Sequence, residues 1–374
     1  MTERQVDVTE LLKNGCVFSL GPDSILVGWG QWITSATSVD HARASRHEFC
    51  SIYSPDFYET DPKPWRFPEH FRVLSRARFT TDVLAKMTSE VKDFRWSEPS
   101  FEGFENQVRI IREEFMKGAL EKAVPVVHAK ANQPLSRERL HELLRQTVTT
   151  PQSLYPYGFW SETEGLLGAT PERLFSIEKG VLVTMALAGT YEKNLDPKAN
   201  ASLAADTLMN DPKERREHQI VIDDLTERLE KYGQIKIGET HVAELPTLLH
   251  LKTRIEVALV NPELDFSDLV RDLHPTPALG VAPRSFGFKN MKLWDDVSLR
   301  GRFGAPFGLR LKTATHDVQD CLVAIRNVQW RSLDGKLQPP TLGSGCGFVR
   351  ESVVEREWSE LALKRDSVRK VLKI

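Results

Sequence analysis

The sequence predicts a mixed α/β fold, on three observations. Short runs of apolar and β-branched residues, such as Val17-Phe-Ser-Leu20, Ser24-Ile-Leu-Val-Gly-Trp29 and Val181-Leu-Val-Thr-Met-Ala-Leu187, are bounded by turn residues and read as strands. Longer stretches carry apolar residues at helical spacing, as at Val108, Ile111, Phe115 and Ala119. With 374 residues, 40% hydrophobic and 27% charged, the chain can bury a large core and has an ordinary globular composition.

The totals also exclude classes of function. A net charge of −2 offers no electrostatic case for nucleic acid or an anionic membrane. The polar start Met1-Thr-Glu-Arg-Gln-Val-Asp7 does not read as a leader peptide, and no apolar run is long enough to span a bilayer. Cys16, Cys50, Cys321 and Cys346 show no paired spacing, so free thiols in a cytoplasmic protein are expected, and a monomer with them.

Residues 1–104 read as an N-terminal part of the fold without recognisable chemistry, and the proline- and aromatic-rich stretch 50–70 as a long ordered loop. Residues 105–374 hold the candidate chemistry. A helix over 105–120 is followed by Lys122 and by Val124-Pro-Val-Val127, a strand whose Pro125 calls for an edge or a bulge. A second helix covers 134–148. Tyr157-Gly-Phe-Trp160 and Gly165–Glu172 read as two strands joined by a turn, and Arg173–Ile177 as another strand. The strand over 181–187 ends in Ala188-Gly-Thr190, a small-residue turn that lets a ligand approach the backbone. The polar segment 191–210 reads as a lid.

Asn210 or Asp211 can cap the next helix, with Pro212 in its first turn and an apolar stripe at Ile220, Val221, Leu225 and Leu229. Glu214 and Glu217 share one face, and Glu217 continues the buried stripe, where a carboxylate needs a partner. His250 lies among leucines. Leu273-His-Pro-Thr-Pro-Ala-Leu-Gly280 is broken by prolines and must be a specific loop, as must Arg302–Gly308. Asp320–Trp330 reads as one strand, with Arg326 on the face of Ala324 and Val328, where a buried guanidinium calls for an anion. The run Gly343-Ser-Gly-Cys-Gly347 can offer backbone N–H groups to an anion. In the last helix, Ser352 and Glu355 form a capping box, and Glu357, Glu360 and Lys364 fall beside Val354, Trp358 and Leu361. Two helices, each with a carboxylate pair at the edge of its buried face, point to a shared cation. Oxygen-only ligands point to magnesium.

In this order, Lys122, Gly168-Ala-Thr-Pro-Glu172, Leu187-Ala-Gly-Thr190, Lys213-Glu-Arg-Arg-Glu-His218, Leu249-His250, His274-Pro-Thr-Pro-Ala-Leu-Gly280, Val323-Ala-Ile-Arg326, Gly345-Cys-Gly347 and Glu357-Trp-Ser-Glu360 with Lys364 resemble the chorismate-utilising enzymes. That family includes isochorismate synthases, salicylate synthases, and the large subunits of anthranilate and aminodeoxychorismate synthases. The resemblance covers roughly residues 105–370. It implies a large, mainly antiparallel sheet core flanked by helices, with the site between two lobes, and chorismate as the substrate.

Residue by residue, it implies Lys122 as general base and Glu172 as general acid. It places magnesium on Glu217 and Glu360, with Glu214 and Glu357 behind them or acting through water. It assigns substrate binding to Gly189, Thr190, His250, Ala278, Leu279, Phe303, Arg326, Gly345, Gly347 and Lys364. Lysine at position 122 is the mark of water-adding members, and Ala278 stands where amine-forming members usually carry threonine. The resemblance therefore favours an isochorismate synthase, an isomerase serving menaquinone or siderophore synthesis. A salicylate synthase and a weakly catalytic chorismate-binding protein are the alternatives. Three positions depart from the family pattern: Phe303 replaces a tyrosine, Val281 a glycine, and Val127 an arginine.

Overall fold

A computed structural model describes residues 5–37, 48–86, 94–193, 201–261 and 264–374. Among the described residues, helices pack around an 18-stranded sheet whose strands pair antiparallel, and there is a separate three-stranded sheet. The large antiparallel sheet with flanking helices is the expected architecture. The N-terminal strands are part of the same sheet: Gly15–Ser19 pairs with Tyr155–Trp160, and Phe49–Tyr53 with Pro306–Lys312. Within 50–70, the expected loop shrinks to the connection between strands Phe49–Tyr53 and Trp65–Ser75. All four cysteines are buried and unpaired. Among the described residues, no helix is long and apolar enough to cross a membrane.

Val181–Glu192 and Leu248–Leu259 form a long antiparallel strand pair that bridges the intervening helices. Its register shifts between Ala188 and Thr190, where Gly189 has φ 78°. The predicted turn at 188–190 is thus a bulge inside a continuous strand, and a bulge re-aims the side chains beside it. The predicted lid is a helix over Ala201–Asn210 where it is described; residues 194–200 of that prediction lie outside the described residues. Leu208 of that helix packs on Leu249 and Leu251.

Helix Pro212–Leu229 begins as expected. Asp211 accepts from the backbone N–H groups of Lys213 and Glu214, and Pro212 opens the first turn. Its buried stripe runs through Glu217, His218, Val221, Ile222, Leu225 and Leu229, so Ile222 takes the place expected for Ile220. The helix predicted over 105–120 spans Phe101–Met116, and Ala119 lies beyond its end. Helix Arg137–Val148 starts at the Ser136 cap.

Two further expectations give way. The strand predicted over 320–330 is broken into Asp317–Val323 and Asn327–Leu333. Between them Arg326 has φ 58°, an uncommon conformation for a non-glycine residue. Arg326 therefore belongs to a kink and not to the alternation with Ala324 and Val328. The predicted capping box does not form either. Val353 is the N-cap of helix Val354–Leu372, and the Ser352 hydroxyl turns back to accept from the Val349 backbone N–H at 3.2 Å. Trp358 of that helix packs against Phe101 and Phe104.

The three-stranded sheet has Lys122–Ala123 in the middle, with Val281–Ala282 on one side and Phe348–Val349 on the other. Pro125 separates this strand from Val126–Ala131 in the large sheet. Three sequence-distant segments, the 274–280 loop, the Lys122 junction and the Gly345–Gly347 run, are thereby tied to one place.

Candidate active site

A cavity with about 610 Å³ of open space, solvent at its mouth included, lies where these segments meet the bulged strand. Glu172, Gly189, Thr190, Glu217, His250, Ala278, Leu279, Phe303, Arg326, Gly345, Gly347 and Lys364 all line it. Lys122, Glu214, Glu357 and Glu360 are not on its wall. Lys122 is fully buried behind Glu217, with Nζ 3.2 Å from Glu217 Oε1. Pro171, Ile325, Gly343 and Ser344 also line the cavity without having been singled out as site residues. Ser344 Oγ is already engaged, accepting from Arg365 Nη1 at 2.8 Å.

Glu172 follows the strand Glu164–Thr170. Its backbone N–H donates to Thr170 Oγ1 at 3.2 Å, and its carbonyl accepts from the Val323 N–H at 3.1 Å. The carboxyl is 3% exposed, and among the described residues no cation pairs directly with it. Burial pushes it up to about 8, and Lys122 and Lys364 only moderate the rise. A neutral carboxyl at neutral pH can donate a proton.

The bulge at Gly189 positions His250. Its Nδ1 lies 2.9 Å from the Gly189 carbonyl oxygen and 3.3 Å from Thr190 Oγ1. A carbonyl only accepts, so the ring proton sits on Nδ1, leaving Nε2 to accept from Arg326 Nη2 at 3.3 Å. Burial, then Arg326 and Lys364, push the imidazole down to about 3, so it stays neutral. Arg326 Nη1 donates to the Lys364 carbonyl at 3.0 Å. Among the described residues no carboxylate pairs directly with this buried guanidinium. The Lys364 ammonium donates to the Gly345 carbonyl at 2.8 Å and pairs with Glu360 Oε1 at 2.6 Å. One end of the cavity thus carries two fixed cations and suits an anionic ligand.

Three of the four glutamates on the two helices meet around an ammonium, while Glu360 pairs with Lys364. Lys213 Nζ lies 3.0 Å from Glu214 Oε1, 3.2 Å from Glu217 Oε2 and 3.0 Å from Glu357 Oε1. Lys213 was missed in the sequence, although its i, i+4 spacing to Glu217 was a signal for it. Glu214 Oε2 also accepts from the Thr190 N–H at 2.9 Å, which ties the cluster to the bulge. Gly347 is required by the close approach of this cluster, since a Cβ there would lie 1.9 Å from Glu217 Oε1.

Among the described residues no three acidic, histidine or cysteine side chains converge on one ligating point. The donor set nonetheless fits a hard divalent cation. It is all carboxylate oxygen, and Glu357 Oε2 is buried without a hydrogen-bond partner. Burial, then Glu217, raises Glu214 to about 7, and burial, then Glu360, raises Glu357 to about 7. In both, the Lys213 ammonium opposes the rise.

Comparisons with known proteins identify the family and the fold. A family model described as "Chorismate binding enzyme" matches residues 69–373. The salicylate biosynthesis isochorismate synthase of Pseudomonas aeruginosa is 33% identical over 208 residues, 55% of this chain and 41% of that protein. The vibriobactin-specific isochorismate synthase of Vibrio cholerae is 28% identical over 316 residues, 82% of this chain and 76% of that protein. Anthranilate synthase component 1 of Aeropyrum pernix is 26% identical over 224 residues, 58% of this chain and 49% of that protein. The alignments thus span less than half of the Pseudomonas and Aeropyrum relatives. Among solved structures, a 2,3-dihydroxybenzoate-specific isochorismate synthase of Bacillus anthracis matches with a TM-score of 0.76 at 21% identity, covering 98% of this chain and 100% of that one. At that identity the likeness speaks for the fold.

Proposed function

The chain belongs to the chorismate-binding enzyme family, and on that footing we propose that it is an isochorismate synthase. It would add water at C2 of chorismate as the C4 hydroxyl leaves. The observation that carries this reading is a buried carboxyl raised to about 8 on the cavity wall, with Lys122 one layer back, behind Glu217. Glu172 protonates the departing hydroxyl oxygen. Lys122 takes the proton from the attacking water, a step open only to its free amine once its ion pair with Glu217 is released. Arg326 and Lys364 bind substrate carboxylates, and His250, locked in its Nδ1–H form, holds the guanidinium in place. Phe303 and Leu279 form an apolar wall that keeps water from the ring's far side.

Magnesium, the cation we assign to the donor set, would be held by Glu217 and Glu360, with Glu214 and Glu357 behind them. Bound there, it supplies positive charge to a substrate carboxylate. The bulged backbone at Gly189 and Thr190, and the glycines at 345 and 347, let substrate and carboxylates approach closely.

The test incubates the full chain with chorismate and magnesium, with and without ammonium, and separates the products. Isochorismate at equilibrium with chorismate, without anthranilate and without stoichiometric pyruvate, is the expected outcome. Salicylate with pyruvate would move the chain to the salicylate synthases, and ammonium-dependent anthranilate would overturn the role given to Lys122.

A further inference from the structure

Lys213 sits where a cation is least welcome on local grounds. It follows Pro212 in the first turn of its helix, the positive end of the helix dipole, where acidic side chains are favoured. Its ammonium is held there by carboxylates from both helices, at 3.0 Å from Glu214, 3.2 Å from Glu217 and 3.0 Å from Glu357. Its side chain is 18% exposed, against 0% for Lys122 at the same cluster, so Lys213 alone of the two has a path to solvent. A divalent cation and this ammonium cannot share the same carboxylate oxygens, because two positive centres a few ångströms apart repel strongly in a poorly solvated site.

We propose that Lys213 is a built-in counterion for the four-glutamate site. It neutralises Glu214, Glu217 and Glu357 while no metal is bound, and swings toward solvent when a divalent cation enters. The site is then held in shape without metal, at the cost of weaker metal affinity. This rests on the magnesium reading above and adds to it a competitor drawn from the chain itself.

The experiment measures magnesium binding directly, in chelator-stripped full-length protein without chorismate. Isothermal titration should show that Lys213→Met binds magnesium at least about tenfold more tightly than wild type. Its metal-free form should melt lower than wild type, and magnesium should raise its Tm by more. Lys213→Arg, which keeps the charge, should restore the metal-free Tm and the weaker affinity. A readout on the wild type guards against a variant that fails to fold. Acetylation of Lys213 by an N-hydroxysuccinimide ester, followed by mass spectrometry, should increase when magnesium is added. Magnesium binding in wild type with equal or weaker affinity in Lys213→Met leaves the metal reading standing and removes the counterion. Unchanged or reduced labelling of Lys213 on adding magnesium does the same. Absence of binding heat from both proteins removes the metal reading, and the counterion with it.

Discussion

Glu172 and Glu217 face the same cavity, are 3% and 6% exposed, and end up in opposite states of protonation. Burial acts on both in the same direction, toward the neutral acid. At Glu172 burial wins and the carboxyl rises to about 8. At Glu217 burial is outweighed by Lys122, Lys213 and Lys364, and the carboxyl falls to about 2. Lys122 and Lys213 each stand 3.2 Å from its oxygens. Depth alone therefore decides nothing. Three ammonium groups acting together, two of them in contact, hold Glu217 down, whereas Glu172 has none in contact and keeps a proton to give.

Substitutions at the two positions should separate these roles. Glu217→Gln takes the ion-pair partner from the fully buried Lys122 ammonium and one of three from Lys213, and should destabilise the metal-free protein by roughly 3–5 kcal/mol. Glu172→Gln replaces a neutral carboxyl with a neutral amide and should leave stability nearly unchanged. Equal losses in urea denaturation would erase the distinction.

In turnover the contrast takes a second form. Glu172→Gln and Lys122→Ala should each slow product formation by about 100-fold or more, the scale of a positioned proton-transfer group. Near-native rates in Glu172→Gln would show that the raised carboxyl is not the acid.

Gly347→Ala attacks only the Glu217 side. Its new Cβ would collide with a carboxylate oxygen at 1.9 Å, and overpacking of this kind costs about 1–3 kcal/mol. Calorimetry should register the change as weakened magnesium binding, with the Glu172 limb of the pH profile unmoved.

The smallest effect is that limb itself. Glu172 donates only while protonated, so turnover should fall as pH rises through about 8, approaching tenfold per unit above it. A rate that climbs through this range would assign the acid elsewhere.

Much of this was legible in the chain. The helix start at Asp211-Pro212 and the strands around 157–192 follow from caps and alternation, which are local properties, while the cavity residues come from the family resemblance of the ordered motifs. At 320–330 the structure-making interaction is distant in sequence. The run looks like one strand because its apolar and β-branched residues favour extension. It breaks at Arg326, whose guanidinium reaches His250 and the Lys364 carbonyl from a left-handed backbone. Ser352 looks like a helix cap, yet its hydroxyl is taken by Val349.

The sequence by itself determined which groups could act: a lysine, a buried acid, four glutamates on two helices, and a loop that prolines keep out of regular structure. Tertiary structure alone decided their charge states and company. It made Lys122 the middle of a three-stranded sheet and set it against Glu217. It drew Lys213 in among glutamates from two helices, and left Glu172 without an ion pair. The physical reason is that patterning and capping are settled within a few residues, whereas burial and electrostatic balance are summed over all neighbours in space, most of them far away along the chain.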